Sequence, residues 1–250
     1  MLLNALLALF ASTAVLAAPV HEITKRDPTS DLIAKLKAAG TGVGRNQILA
    51  AAGGNASFAF DFANPPAGAA INSPAGKVVS ASGTSAPFLT DIDSSLALVT
   101  IQPCGLILPH IHPRGDEFII NIQGTIYTEF IAETGAVLVQ NTLKTLGSTL
   151  FPKGSIHLEY NPECEPATFV AAFNSNDPGI SFVAANFFSL EDQLVIASLG
   201  GDAVVSGADL ASIRHALPKG IATGVEQCVK KCGIHPYAKR SLKEVYGVDA

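Results

Sequence analysis

The chain has 250 residues, of which 48% are hydrophobic and 15% are charged, with a formal net charge of −5. This length and hydrophobic share are enough for one large domain or two small ones. An acidic chain without a basic patch argues against nucleic acid as a partner.

The N-terminal segment is apolar and ends in small residues. Val15 and Ala17 suit signal-peptidase cleavage after Ala17, and cleavage after Ala18 is an alternative. The run is too short for a comfortable membrane span, and no other segment qualifies as one, so residues 1–18 are predicted to be a secretory signal peptide. A buried N-terminal helix is the other reading. We therefore expect a secreted, extracellular protein with no membrane partner, a compartment that the four cysteines also fit.

Residues 19–26 are predicted as a short propeptide that ends at the dibasic pair Lys25-Arg26, although two solvated charges explain that pair equally well. Residues 27–76 form an N-terminal extension. Within it, a helix is predicted over residues 31–39 with Ser30 as its cap, ended by the glycines of residues 40–44. Asn55 begins the Asn-Ala-Ser glycosylation sequon, and the Pro-, Gly- and Ala-rich residues 64–76 predict an exposed loop.

Residues 77–188 show short apolar runs divided by turns, which is typical of a β-sandwich or barrel. Strands are predicted over residues 96–101, 106–112, 117–122, 125–131, 136–140, 149–151, 156–160, 167–173 and 180–185. In residues 189–250 the period changes, and short helices are predicted over 194–199, 210–217 and 225–232, with starts near Ser189 and Ser206. The fold class is all-β, with an N-terminal helical segment and short C-terminal helices.

Three histidines and one carboxylate form the most informative pattern in the chain. Alternate residues of a strand point to one face, so His110 and His112 are predicted to aim at the same point. The turn residues 113–116 then fold the chain back, so that Glu117 faces that point too. His157 completes a candidate set of metal ligands.

The spacing of these residues resembles the two motifs of the cupin superfamily. The motifs read Gly105-x4-His110-x-His112-x4-Glu117-x6-Gly124 and Pro152-x-Gly154-x2-His157-x3-Asn161. Residues 109–114, 151–154 and 173–180 further resemble germins, germin-like proteins and spherulin-type proteins, and the likeness covers residues 77–232. The resemblance implies a jelly-roll β-barrel over residues 77–188 that holds a metal, usually manganese, on His110, His112, Glu117 and His157.

The chemistry of this donor set agrees with the resemblance. Four nitrogen and oxygen ligands leave two positions of an octahedron open, which suits Mn²⁺ or Fe²⁺. Zn²⁺ is an alternative that fits less well, because it prefers tetrahedral coordination by three ligands and a water. Asn121 is a candidate to orient the ligand rings, and Asn161 serves either there or in a turn.

Two features depart from the family pattern. Four residues, rather than the usual five, separate Gly105 from His110 and Gly147 from Pro152. Germins that oxidise oxalate carry an asparagine at the position of Ile107, and a second one near Ala97. Apolar groups cannot hydrogen-bond a dicarboxylate, so these residues argue against oxalate oxidation.

The cysteines also differ from those of plant germins, which pair two near the N-terminus. If the His110 and His157 strands are antiparallel neighbours, Cys104 falls opposite residue 163. This register favours a Cys104–Cys164 disulfide, leaving Cys228 and Cys232 to pair with each other or between subunits. Four cysteines allow three connectivities, so the pairing stays open.

The resemblance is compatible with several functions. The protein is predicted to be a secreted metal-binding cupin, either a manganese-dependent oxidoreductase such as a superoxide dismutase or a non-enzymatic wall, matrix or stress protein with a structural metal. Oxalate oxidation is the weaker third reading, and no catalytic residue is assigned. A homo-oligomer between dimer and hexamer is expected, with room for a small-molecule ligand.

Overall fold

The computed structural model describes residues 28–218, 220–223 and 225–234. The predicted signal peptide and propeptide, and the tail after residue 234, lie outside the described residues. Within the described ranges, no helix combines the length and apolar character needed to cross a bilayer.

The N-terminal extension contains more helix than the sequence predicted. Helix α1 (Pro28–Ala38) begins before Ser30, so Ser30 lies inside the helix and does not cap it. The predicted end of the first helix before the glycines of residues 40–44 is confirmed, but a second helix, α2 (Gly42–Gly53), which the sequence did not predict, begins within those glycines. The Thr41 side chain caps this helix by accepting a hydrogen bond from the Gly44 amide at 3.0 Å, which satisfies one of the free N–H groups of the first turn.

Twelve strands and four further helices follow α2 in the part of the chain that the structure describes. The strands are β1 (Ala70–Ser73), β2 (Gly76–Ala81), β3 (Ser95–Ile101), β4 (Gly105–Ile111), β5 (Glu117–Gln123), β6 (Ile126–Ile131), β7 (Val139–Leu143), β8 (Ser148–Phe151), β9 (Ile156–Tyr160), β10 (Ala167–Phe173), β11 (Ser181–Phe182) and β12 (Ile221–Thr223). The helices are α3 (Val183–Phe187), α4 (Asp192–Ser198), α5 (Gly207–Ala216) and α6 (Glu226–Lys231), and short 3-10 helices span Gly54–Phe58 and Pro87–Leu89.

The strands form two antiparallel sheets. One sheet has the order β1-β2-β3-β10-β5-β8 and the other has the order β11-β4-β9-β6-β7, with β12 added beside β4. Along β3, side chains alternate between buried and more exposed positions, as expected for a strand with one face toward a core. Ile101, Ile119 and Phe169 are fully buried in that core. The predicted jelly-roll fold class is confirmed.

Several boundaries differ from the sequence prediction. The hairpin of β1 and β2 starts at Ala70, inside the segment predicted as a loop, because residues 70–73 pair with residues 76–79 across a tight turn. Only Ser181 and Phe182 of the predicted strand over 180–185 pair with β4, and helix follows at once. Strand β12 lies in the region predicted to be purely helical and pairs with the start of β4.

The C-terminal helices begin at capping residues. Glu191, rather than Ser189, caps α4 by accepting a hydrogen bond from the Leu194 amide at 3.1 Å. The Ser206–Asp209 capping box predicted for α5 is confirmed.

The disulfide prediction is wrong in both pairs. The structure joins Cys104 to Cys228 and Cys164 to Cys232, instead of Cys104 to Cys164 and Cys228 to Cys232. The physical reason is a register shift in the β4–β9 ladder: His110 lies opposite His157, but Ile107 lies opposite Glu159. This shift displaces Cys104 from Cys164, and these two cysteines are bonded instead to Cys228 of α6 and to Cys232, the residue after α6.

The core position of Phe169 allows a test of the packing. We expect Phe169→Ala to lower the free energy of unfolding by about 3–5 kcal/mol, because it removes a fully buried ring from the centre of the barrel. Phe118→Ala is the matched control, since 49% of Phe118 is exposed, and should cost less than about 1 kcal/mol. Urea unfolding measures both values; equal costs would contradict this packing.

Candidate metal centre

The four predicted ligands come from three strands that meet inside the barrel. His110 lies near the end of β4, directly opposite His157 of β9, and His112 follows just after β4 ends. Glu117 is the first residue of β5, in the other sheet. All four side chains are buried, with exposed fractions of 7% or less. The structure therefore brings together the four residues that the sequence pattern selected.

A clamp on the connecting turn sets the direction of Glu117. The Asp116 carboxylate accepts hydrogen bonds from the Lys153 amide at 2.8 Å and from Asn174 Nδ2 at 2.6 Å. The Asn174 side-chain oxygen in turn accepts a hydrogen bond from the Asp116 amide. Arg114 donates to the Asp177 carboxylate at 2.7 Å. The turn after β4 is thus fixed to the loop after β10, which contains most of the germin-like segment 173–180.

The ligand atoms converge on one point. One ligand atom from each of the four residues lies within 4.8 Å of every other. Glu117 Oε2 is 3.0 Å from His112 Nε2 and also 3.0 Å from His157 Nε2. The His110 ring centroid is 4.2 Å from that of His157. These spacings suit a single ion at the centre of the cluster.

The other nitrogen of each ring is held by a backbone carbonyl. His110 Nδ1 contacts the Leu108 oxygen at 2.8 Å, His157 Nδ1 contacts the Ser155 oxygen at 2.9 Å, and His112 Nδ1 contacts the Gly179 oxygen. A carbonyl only accepts hydrogen bonds, so each Nδ1 carries a proton and donates it. A neutral ring with its proton on Nδ1 keeps the Nε2 lone pair, and this is the tautomer that binds a metal through Nε2.

The electrostatics of the cluster favour a neutral His110 and an ionised Glu117. Burial lowers the pKa of His110 to about 3, and His157 acts in the same direction while Glu117 opposes it. Burial by itself raises the pKa of Glu117, but when His112 and His157 carry a proton on Nε2, their hydrogen bonds outweigh burial and hold that pKa below its usual range. A carboxylate oxygen and two lone-pair nitrogens cannot all be acceptors at 3.0 Å unless a proton or a cation lies between them.

Aromatic rings enclose the cluster. Phe151 stacks on His157 with ring centroids 4.5 Å apart and an interplanar angle of 12°. Phe173 presents its edge to His112 at 4.8 Å, and Phe182 lies 5.9 Å from His110. These rings fix the imidazole orientations and keep bulk water away, which strengthens the interactions of any charge held there.

The two asparagines do not contact the ligand rings through any hydrogen bond in the structure. Asn121 donates to the carbonyls of Gly124 and Leu143. Asn161 donates to the carbonyls of Ile101, Gln102 and Glu165 and accepts from the Glu163 amide. Asn121 was expected to accept from a ring nitrogen; backbone carbonyls do that instead. For Asn161 the structure supports the alternative of a turn residue.

Glu159 is a buried acid that the sequence reasoning missed. Both of its carboxyl oxygens are buried and lack a hydrogen-bond partner among the described residues. It lies opposite Thr128 of β6 and opposite Ile107 of β4. Burial, and then the charge of Glu117, raises its pKa well above the usual range. The available signal was its position two residues after His157, which directs it to the same inner face.

The two positions that bear on oxalate oxidation are buried, and the predicted glycosylation site is exposed. Ile107 and Ala97 belong to the buried apolar core together with Ile101 and Ile119. Asn55 is exposed within the 3-10 helix Gly54–Phe58, where its glycosylation stays a prediction.

Comparison with known proteins identifies the family of this chain. The cupin family profile matches residues 60–201. This chain belongs to the cupin family. Spherulin-1B of Physarum polycephalum is 37% identical to this cupin over 177 residues, covering 71% of the chain and 70% of the spherulin. A probable germin-like protein, subfamily 2 member 5, of Arabidopsis thaliana is 36% identical over 132 residues, covering 52% of the chain and 62% of that protein.

A solved structure supports the same fold. The oxalate decarboxylase of Bacillus subtilis, a protein described with Mn(II) centres, aligns with a TM-score of 0.54 at 20% identity over 62% of this cupin and 39% of that chain. At this identity the likeness concerns the fold alone. The sequence matches identify this cupin as one of the germin and spherulin type.

The raised pKa of Glu159 allows a test of the burial of its carboxyl group. Glu159 holds a proton in the folded state that it releases when unfolded, so its contribution to stability is complete below pH of about 4.3 and is lost as pH rises toward the folded pKa. In chelator-treated protein, the unfolding free energy of the wild type relative to Glu159→Gln should therefore fall by up to about 1.4 kcal/mol per pH unit above that value. Urea unfolding between pH 5 and about pH 8 checks this; a constant difference would contradict it.

Proposed function

We propose that this cupin is a secreted protein that binds one divalent cation through His110, His112, Glu117 and His157. The observation that carries the proposal is the convergence of three Nε2 lone pairs and one carboxylate, all buried and all within 4.8 Å. With every Nδ1 bound to a carbonyl, the rings are already held in the tautomer that a metal requires. A cation satisfies all four donors at once.

Manganese is the cation that we propose, with Fe²⁺ as the alternative. Three imidazoles and a carboxylate leave two octahedral positions for water or a small ligand, and this mixed nitrogen and oxygen set suits Mn²⁺ or Fe²⁺. Zn²⁺ fits a reactive site less well, because four protein ligands would fill its tetrahedron and leave no position for the water that its catalytic sites keep beside three protein ligands. The cysteines do not compete for the ion, because all four are in disulfides.

The reaction that we propose is the dismutation of superoxide to dioxygen and hydrogen peroxide. When bound, the metal would supply the one-electron redox chemistry. His110, His112 and His157 would hold it as neutral ligands, and Glu117 would contribute the one negative charge that lowers its potential. The rings of Phe151, Phe173 and Phe182 pack against the three ligand histidines and would hold their imidazoles in place around the metal.

A structural role for the metal is the second candidate, and the burial of the site favours it. The ligands are at most 7% exposed, and their strands belong to both sheets, so an ion there would join the two halves of the barrel. A protein of the wall, matrix or stress response with such a metal needs no turnover. Oxalate oxidation is less well supported, because Ile107 and Ala97 are buried apolar residues with no hydrogen bond to offer a dicarboxylate.

Self-association and secretion are part of the same proposal. Phe118 of β5 lies opposite Leu150 of β8, and they are 49% and 48% exposed. Ile131 of β6 likewise lies opposite Ile156 of β9, at 40% and 43%. Such apolar pairs on outer sheet faces suit subunit contacts in a homo-oligomer.

The two disulfides are consistent with secretion into an oxidising compartment.

Metal removal should lower the thermal stability. Because binding stabilises only the folded state, stripping a saturating metal should reduce Tm by about 5–10 °C, and re-adding Mn²⁺ should restore it. His157→Ala should show no such Mn²⁺-dependent shift, whereas the exposed His215→Ala control should respond as the wild type does. Differential scanning calorimetry measures all three. A wild-type Tm that does not respond to chelator or Mn²⁺ would contradict the metal site.

Superoxide dismutation separates the two candidate functions. The Mn²⁺-loaded protein should dismute superoxide, and Glu117→Gln should reduce the rate by at least about tenfold, because it removes the anionic ligand. Pulse radiolysis measures the rate, with His215→Ala as the control and the metal content of each sample determined in parallel. A fully loaded wild type that is no faster than its metal-free form would refute catalysis and leave the structural role.

A further inference from the structure

Four sulfur atoms form one compact cluster where α6 packs on the barrel. The Cys104–Cys228 disulfide lies beside the Cys164–Cys232 disulfide. Cys232 Sγ is 3.7 Å from Cys104 Sγ and 3.9 Å from Cys228 Sγ. A sulfur of one bridge is therefore in van der Waals contact with both sulfurs of the other, which is the separation from which a thiolate attacks a disulfide.

The two bridges differ in their access to solvent. Cys104 is fully buried and Cys228 is 5% exposed, so their disulfide is an inner bridge. Cys164 is exposed and Cys232 is partly exposed, so theirs is an outer bridge. A reductant in solution reaches the outer bridge first, and Cys164 is the sulfur that it meets.

We propose that the cluster is a thiol–disulfide exchange site in which the outer bridge passes reducing equivalents from an external dithiol to the inner bridge. One thiolate of the dithiol attacks Cys164, forming a mixed disulfide and releasing Cys232 as a thiolate. Cys232 attacks Cys104, forming a Cys104–Cys232 disulfide and releasing Cys228, which takes up a proton. The second thiolate of the dithiol then closes on the first, so that the dithiol is oxidised and Cys164 is released as a thiol.

The surroundings of Cys228 favour its release over that of Cys104. Cys228 Sγ lies 3.4 Å from the Pro162 oxygen and 4.0 Å from the Asn161 oxygen. Both are carbonyl acceptors for the S–H group of a newly formed thiol. Cys104 is also the nearer target of Cys232, at 3.7 Å against 3.9 Å. The exchanged state therefore has a Cys104–Cys232 bridge and thiols at Cys164 and Cys228.

This exchange exposes a reactive thiol and keeps the C-terminal segment attached. The new bridge still ties the residue after α6 to the residue before β4, as the original inner bridge tied α6 itself. Strand β12 stays paired with residues 105–107 of β4, the strand that also carries His110. Reduction by two electrons thus creates a surface thiol at Cys164, a site for mixed disulfides with other thiols, without detaching the segment beside the candidate metal centre.

Trapping the products of limited reduction tests this directly. The full secreted protein is treated with one equivalent of dithiothreitol, alkylated with N-ethylmaleimide after acid quenching, and mapped by mass spectrometry of its peptides. We expect alkylation at Cys164 and Cys228, together with a disulfide-linked peptide pair that contains Cys104 and Cys232. Alkylation at Cys164 and Cys232 with an intact Cys104–Cys228 bridge would overturn the proposal.

The rates at which the disulfides of two double variants are reduced provide a second test of the proposal. In Cys164→Ser/Cys232→Ser the inner bridge has no outer partner, and excess dithiothreitol should reduce it at least about tenfold more slowly than in the wild type, because it must wait for local opening. The control Cys104→Ser/Cys228→Ser retains the exposed bridge and should lose it at the wild-type rate. An inner bridge reduced equally fast without its neighbour would overturn the relay. The trapping result on the wild type stands even if a variant fails to fold.

Discussion

The structure depends on one electrostatic constraint: three imidazole lone pairs and a carboxylate meet in a dry space. Backbone carbonyls hold the Nδ1 proton of His110, His112 and His157, so all three lone pairs point inward toward Glu117. Four acceptors so close repel one another unless positive charge lies among them. A cation at this point would convert this local repulsion into an attraction that joins the two sheets.

The surrounding strands, turn and aromatic rings hold the four ligand side chains in this arrangement. The β4–β9 ladder sets His110 opposite His157, and the Asp116–Asn174 clamp turns the chain so that Glu117 enters from the other sheet. Phe151 lies flat on His157 and fixes its ring. Below the ligands, Glu159 is buried without a partner and its raised pKa keeps it neutral, which avoids a second negative charge beside Glu117.

The sequence predicted the ligand cluster better than it predicted the chain around it. Strand alternation and a turn were enough to bring His110, His112 and Glu117 together, because those rules act over a few residues. The disulfides were missed because pairing over longer distances depends on a register shift between Ile107 and His110, which no local pattern reveals. Helix α2 was missed because its first turn contains Gly42 and Gly44, which are poor helix formers, and the Thr41 cap that marks its start was not recognised. Glu159 was missed although strand alternation from His157 directs it to the same inner face, because the sequence analysis considered only the residues of the two motifs.

The most direct test of the account is anomalous diffraction from crystals of the protein prepared without chelator. With data collected at the manganese edge, the account predicts one strong peak per chain, bonded at about 2.0–2.3 Å to Nε2 of all three histidines and to a Glu117 oxygen. A map with no anomalous peak for any transition metal at this point, and with a protonated histidine donating to Glu117, would contradict it.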